Sequence, residues 1–199
     1  MIRARLVLPM VIACVAGCSI LPKAETPSVY TLPAAAGARP ANIAPVAWGL
    51  RIATPSAARA LDNPRIAVMP DASTITVYAS ARWSDTSPHL FRDRLADAFR
   101  DSARITALST DDSNVAADYE LGGNLAAFQT EYNGGKPEVV IRFDAMLAAT
   151  RKHQIVASQR FEVREPIDGK EVPQVVQAFG RAMDKLSRDV VGWTYTAAK

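Results

Sequence analysis

Residues 119–163, YELGGNLAAFQTEYNGGKPEVVIRFDAMLAATRKHQIVASQRFEV, decide the fold. Tyr119, Leu121, Gly123, Leu125 and Ala127 alternate with polar or small residues, and Phe128 interrupts the alternation. Gly122-Gly123 marks a bulge there. Asn133-Gly134-Gly135 is a turn signal, because these residues tolerate positive φ. On the return, Val139, Ile141, Phe143, Ala145 and Leu147 share a face opposite Arg142 and Asp144. A second turn at Arg151-Lys152-His153 leads into Ile155, Ala157, Phe161 and Val163, with Arg160, Glu162 and Arg164 opposed. A period of two over three runs joined by turns is an antiparallel meander with one apolar face.

That face needs a cover. Towards the C-terminus, Val175, Val176, Phe179, Met183, Leu186, Val190 and Trp193 recur at helical spacing, which predicts an amphipathic helix over about 172–193. Towards the N-terminus, Leu90, Phe91, Leu95, Ala98 and Phe99 make a second stripe. Ser87 serves there as N-cap and Pro88 as the first helical residue, while Arg92, Asp93, Asp97 and Arg100 take the other side. Before it, residues 65–69 and 73–78 form a hairpin, and residues 49–53 alternate as a further short strand. The expected fold class is α+β: a mostly antiparallel sheet with two amphipathic helices packed on one face.

The first 45 residues read differently. Arg3 and Arg5 precede an apolar run over 6–15, then Val15-Ala16-Gly17-Cys18. Small residues before a cleavage point suit a signal peptidase. A cysteine directly after them is what a lipoprotein peptidase requires, since diacylglycerol is joined to its thiol. The run is too short for a span of ~20 residues. A plain secretory signal with an incidental cysteine is the alternative. The expected organisation is a signal peptide over 1–17, a lipidated proline-rich tether over 18–45, and an α+β periplasmic domain over 46–199. Pro22, Pro27, Pro33, Pro40 and Pro45 break any helical or strand period in the tether.

Cleavage before Cys18 removes two basic residues and no acidic one, so the formal charge falls from 23 − 20 = +3 to 21 − 20 = +1. A near-neutral chain gives no electrostatic case for nucleic-acid binding. Cys14 leaves with the signal and Cys18 carries lipid, so no disulfide is expected.

The chemistry of catalysis is missing from the pattern. The chain holds two histidines, His89 and His153, with no His-Glu-x-x-His, no Gly-x-Ser-x-Gly elbow and no phosphate loop. His89, beside Asp85 and Asp93, reads as a surface histidine, and Asp111-Asp112 near Asp118 as a solvated turn without calcium-loop spacing. No catalytic residue, metal site or cofactor is expected, and no enzyme activity.

One stretch carries a resemblance. Leu50-Arg51-Ile52, Ala60-Leu61-Asp62, Arg65-Ile66-Ala67-Val68, Ile75-Thr76-Val77-Tyr78 and Ala81-Arg82-Trp83-Ser84-Asp85 lead into the helix start at residues 90–95. With the lipobox and proline-rich leader, this succession resembles the ABC-type transport auxiliary lipoprotein family, which includes the lipoprotein of the paraquat-inducible system. The Arg-Trp pair is its most specific part, and the chain has a single aromatic at Tyr78 where relatives often carry two. The resemblance implies a periplasmic accessory of an ABC lipid transport system. Such an accessory docks a component with a mammalian-cell-entry (MCE) domain to the outer membrane. It implies palmitate-type acyl chains on Cys18 in the inner leaflet of the outer membrane. Ser19 fits that leaflet, since it lacks the aspartate that resembles an inner-membrane retention signal. Tyr78, Arg82 and Trp83 become the candidate docking patch, with Trp83 plugging the sheet and Arg82 pairing with Asp85 as the structural alternative. A module that itself binds lipid or cell-wall fragments is the competing function, and a homo-oligomer is compatible with either.

Overall fold

The structure, a computed structural model, describes residues 26–34, 44–113 and 115–198. The expected signal peptide and Cys18 lie outside these residues. In chain order the elements are strands β1 (Ser28–Tyr30), β2 (Leu50–Ile52), β3 (Ser56–Ala57), β4 (Arg65–Met69) and β5 (Thr76–Trp83), then helix α1 (Ser87–Asp101). They continue with β6 (Leu108–Thr110), β7 (Tyr119–Asn133), β8 (Lys136–Ala149), β9 (Gln154–Pro166) and helix α2 (Val172–Ala197).

Strand β7 is the spine. On one side it pairs antiparallel with β8, and β8 with β9, the expected meander. On its other side three short strands lie along it in turn, all parallel to it: β2 against Tyr119–Leu121, β3 against Asn124 and Leu125, and β4 against Gln129, Thr130 and Glu131. Strand β5 returns antiparallel to β4, the expected hairpin, while β1 and β6 add parallel edges to β5 and β2. The sheet is therefore mixed, which corrects the expectation of a mostly antiparallel one. Parallel pairing between strands far apart in sequence leaves no turn signal to read.

The inward face follows the alternation. Leu121, Leu125, Phe128, Val139, Ile141, Phe143, Ala145 and Leu147 are buried. Phe128 rejoins this face because the β7–β8 register shifts between Leu125 and Ala127, three residues beyond the glycines expected to carry the bulge. Gly123, at φ 139°, is required for a different reason: a Cβ there would fall 2.0 Å from the Asp144 carbonyl oxygen. A second shift, between Leu147 and Ala148, turns Ile155 out to solvent at 62% exposure, against the expected alternation.

Helix α2 packs across β8 and β9, and α1 lies beside α2 over β2 and β6. The first stripe holds for Phe91, Leu95 and Phe99. Thr86 takes the N-cap in place of Ser87. Arg92, expected on the polar side, is buried at 6% exposure. Its guanidinium bonds Asp111 at 2.7 Å, Asp112 at 2.8 Å and Asp93 at 2.8 Å. Asp111 also accepts the Thr54 amide, so the pair expected as a solvated turn locks α1 to the loops after β2 and β6. Burial opposes the Asp111 charge, but the Thr54 and Arg92 hydrogen bonds outweigh it and hold the carboxyl below its ordinary value. No described helix is long and apolar enough to cross a membrane.

Glu165 is the other buried charge. On β9, at 6% exposure, it bonds Arg181 at 2.7 Å and Lys185 at 2.5 Å from α2. Burial works against its charge, yet these two cations together hold its carboxyl below the usual 4.5. A carboxyl depressed in the folded state adds stability that is fully present above its unfolded value. That stability is lost as pH falls through the folded one. Glu165→Gln is therefore expected to cost ~1–3 kcal/mol at pH 7 and to flatten the acid limb of the melting profile below about pH 4.5. Thermal melts of both proteins from pH 7 to pH 3 check this.

Candidate docking sites at opposite corners of the sheet

Strand β5 carries the three residues expected to dock a partner, and it does not bring them into one patch. Trp83 is 1% exposed. Its ring meets Phe179 of α2 at 5.2 Å and Phe128 of β7 at 6.1 Å, both edge-on. It is a core residue, as in the structural alternative in which it plugs the sheet, and not a contact residue of a docking patch. Tyr78 is half-buried against the same core. Burial pushes its phenol up. Only Arg82 is exposed, and Asp85, its expected partner, bonds the Thr86 amide and His89 instead.

What covers the Arg-Trp stretch is the chain's own leader. Ser28, Val29 and Tyr30 pair with Ala81, Arg82 and Trp83. The Tyr30 carbonyl accepts the Ser84 amide at 2.8 Å. Leu32 then enters the core at 8% exposure, and Pro33 lies over Gly180 of α2. The stretch expected as a proline-rich tether over 18–45 thus contributes residues 28–34 to the fold. Its prolines concealed a strand only three residues long, too short to show a period of two. A chain starting at residue 44 is expected to melt below one starting at 26 by ~2–3 kcal/mol, the burial of about one large apolar side chain. A Cβ on Gly180 would fall 2.8 Å from Pro33 Cγ and 2.9 Å from its carbonyl oxygen. Gly180→Ala should accordingly destabilise the longer chain. In the shorter chain it should stabilise by up to ~1 kcal/mol through helix propensity.

The opposite corner is built from the β8–β9 turn and the end of α2. A groove of about 300 Å³ there is lined by Tyr119, Ala149, Ile155, Val156 and Ala197, with Lys152 at its rim. Ile155 and Val156 are 62% and 43% exposed. Behind the groove, Trp48 packs on Tyr119 at 5.4 Å and on Tyr195 at 5.7 Å, and the Arg104 guanidinium sits 4.2 Å over the Tyr195 ring. Burial raises the Tyr195 phenol, countered by its hydrogen bond with Ser102. Sequence reading missed this site because it depends on the bulge that turns Ile155 outward. The Arg151-Lys152-His153 turn was the available signal. Among the described residues no group of His, Cys, Asp or Glu could hold a metal ion. His89 is partly exposed, 3.3 Å from Asp85.

Comparison with known proteins places the chain. The family model described as the ABC-type transport auxiliary lipoprotein component matches residues 30–191. The crystal structure of protein XCC0632 from Xanthomonas campestris superposes with a TM-score of 0.78 at 31% identity, covering 85% of this chain and 96% of that one. A further crystal structure of an uncharacterized protein superposes at 0.66 with 14% identity, over 85% and 99% of the two chains, and shows the fold alone. An uncharacterized protein of Bradyrhizobium diazoefficiens is 29% identical over 163 residues, 79% of this chain and 43% of that protein. The chain thus spans less than half the length of that relative.

Proposed function

The chain belongs to the family of ABC-type transport auxiliary lipoprotein components, and on that premise we propose that it joins the outer membrane to the MCE-domain component of a lipid transporter, by contact and without catalysis. The observation that carries this reading is the separation of its two ends. The leader is fixed to the β5 edge, and β1 runs parallel to β5, so the chain ahead of Ser28 approaches from the side of the β4–β5 turn. The Ile155 corner is diagonally opposite. In register, Thr76 is level with Thr130 and Ile155 with Glu120, ten residues apart along β7, or about 33 Å. A protein anchored through its leader would present that corner to the periplasm.

The corner has the make-up of a docking site: exposed branched apolar side chains, aromatic rings behind them, and basic residues at the rim. The patch read from sequence at Tyr78, Arg82 and Trp83 gives way to it, since Trp83 is buried. The competing reading, a carrier of lipid or cell-wall fragments, calls for a large apolar cavity. The groove here stands at the small end of the ~300–1,000 Å³ range of ligand pockets. Ile155→Asp should reduce co-purification of the MCE-domain protein about thirtyfold, a loss of ~2 kcal/mol, while the melt stays within about 0.5 kcal/mol of wild type, as for other surface changes. Undiminished co-purification by the folded variant would refute docking at this corner.

A further inference from the structure

We infer that the outward face of the β1–β5–β4 corner rests on an anionic phospholipid surface, with Arg65 and Arg82 on headgroup phosphates and Val29, Ile75 and Val77 against the interface. The inference rests on the proposed anchor at Cys18. Three observations carry it.

The first is charge. Arg65 and Arg82 stand directly opposite each other across the β4–β5 pair, both exposed. Like charges in that position repel, and an anion between them relieves the repulsion. Arg92, Arg94, Arg142, Arg160, Arg164 and Arg181 all hold acidic partners. Arg65 and Arg82 have none among the described residues. Two exposed arginines held side by side with no acidic partner among the described residues are open to an anion from outside.

The second is apolar exposure on the same face. Tyr78, Ala81 and Trp83 turn inward, and Ser80, at φ 52°, is the irregularity that puts two residues rather than one between Tyr78 and Ala81. Val77 and Arg82 consequently both point outward. Val29 is opposite Arg82 on β1. Val29, Ile75 and Val77 are 53%, 45% and 37% exposed. Branched apolar side chains interleaved with arginines are the composition of a surface that sits at a lipid interface and draws anionic headgroups. The acid at the adjacent turn, Asp71, is occupied by the Ser73 and Thr74 amides and the Ser73 hydroxyl.

The third is the path of the chain. Thr26 is 26 − 18 = 8 residues from Cys18, a reach of at most about 28 Å. The approach to Ser28 is along β5 from the side of Ile75 and Val77. From Ala81, level with Ser28, back to Ile75 is six residues, about 20 Å on the side from which Thr26 and Pro27 enter. The apolar end of this face therefore projects beyond the point where the leader joins the fold, and a lipid on Cys18, within the reach given above, would hold it near a bilayer.

The test uses the mature lipoprotein in vesicles of phosphatidylethanolamine and phosphatidylglycerol. With Cys18 acylated, Val77→Cys and Ile155→Cys each supply one thiol for a nitroxide label. Exposure of the label to a water-soluble nickel chelate is read by power saturation. The label at 77 should be shielded several-fold relative to the label at 155. Shielding should fall when phosphatidylglycerol is omitted, and vanish in Arg65→Glu/Arg82→Glu. A label at 77 as open as that at 155 on floated vesicles would overturn the placement and leave the anchor standing. Shielding indifferent to charge reversal, or appearing only when the MCE-domain protein is added, would overturn it too, the latter in favour of a protein face. Protein that does not float with the vesicles would overturn the anchor and the placement together.

Discussion

Trp83→Ala is expected to destabilise the domain by ~3–5 kcal/mol, the range for deleting a buried large aromatic. Trp83 is the junction of three elements: β5 carries it, Phe179 of α2 and Phe128 of β7 enclose its ring, and β1 lies along its backbone. Removing the indole opens a void against parts of the fold that sequence separation keeps far apart, so local collapse cannot fill it. Its Nε1 is buried without a hydrogen-bond partner. That makes a sharper comparison available. Trp83→Phe discards an unsatisfied donor along with some volume, and should cost under ~1.5 kcal/mol. Denaturant melts of both variants check this. If Trp83→Ala melted like wild type and lost only partner binding, its placement in the core would be wrong.

Cys18→Ser is the second large effect, and it is qualitative. With the sulfur gone, no thioether-linked diacylglycerol can form and lipoprotein cleavage before residue 18 has no substrate. The variant should keep its unprocessed mass and leave the membrane fraction. Two or three acyl chains give stable anchoring where one gives only marginal binding. The loss should therefore be close to complete. The domain should melt as before, because residues 28–34 still dock on β5 and α2. Processing and outer-membrane partition of Cys18→Ser would refute lipid anchoring at this residue. Partition of the wild type with the inner membrane would instead refute only the choice of membrane.

The parts of this fold that could be read from sequence are those with local causes. The β7–β8–β9 meander is announced by a period of two and by Asn133-Gly134-Gly135, and α2 by its apolar stripe. What stayed hidden was decided by partners distant in sequence. Strands β2, β3 and β4 each pair in parallel with β7, and two or three apolar residues in a row do not say which strand they will join. Arg92 looked like one more charge on the polar side of α1 until Asp111 and Asp112, about twenty residues on, were brought beneath it. The leader's strand is specified by the β5 edge that receives it rather than by its own sequence. The same holds for the sites. Arg82 and Trp83 are neighbours in the sequence, but alternation on one strand sends them to opposite faces. Ile155 was assigned to the core because a register shift between neighbouring strands leaves no mark on either strand alone.

The Arg82-Trp83 stretch thus has a structural place in this chain. Trp83 pairs with the leader at Tyr30 and packs on Phe179 of α2, so the same residue that closes the sheet fixes where the leader enters the fold. The proposed docking role falls to the other end of the molecule, where the β8–β9 turn and the last turn of α2 meet. The most direct measurement is site-specific photocrosslinking from residue 155 of the mature lipoprotein in intact envelopes, with residue 77 as the control. The account predicts an adduct between position 155 and the MCE-domain protein and none from position 77. An adduct from 77 with none from 155, or no MCE-domain adduct from either, would contradict it.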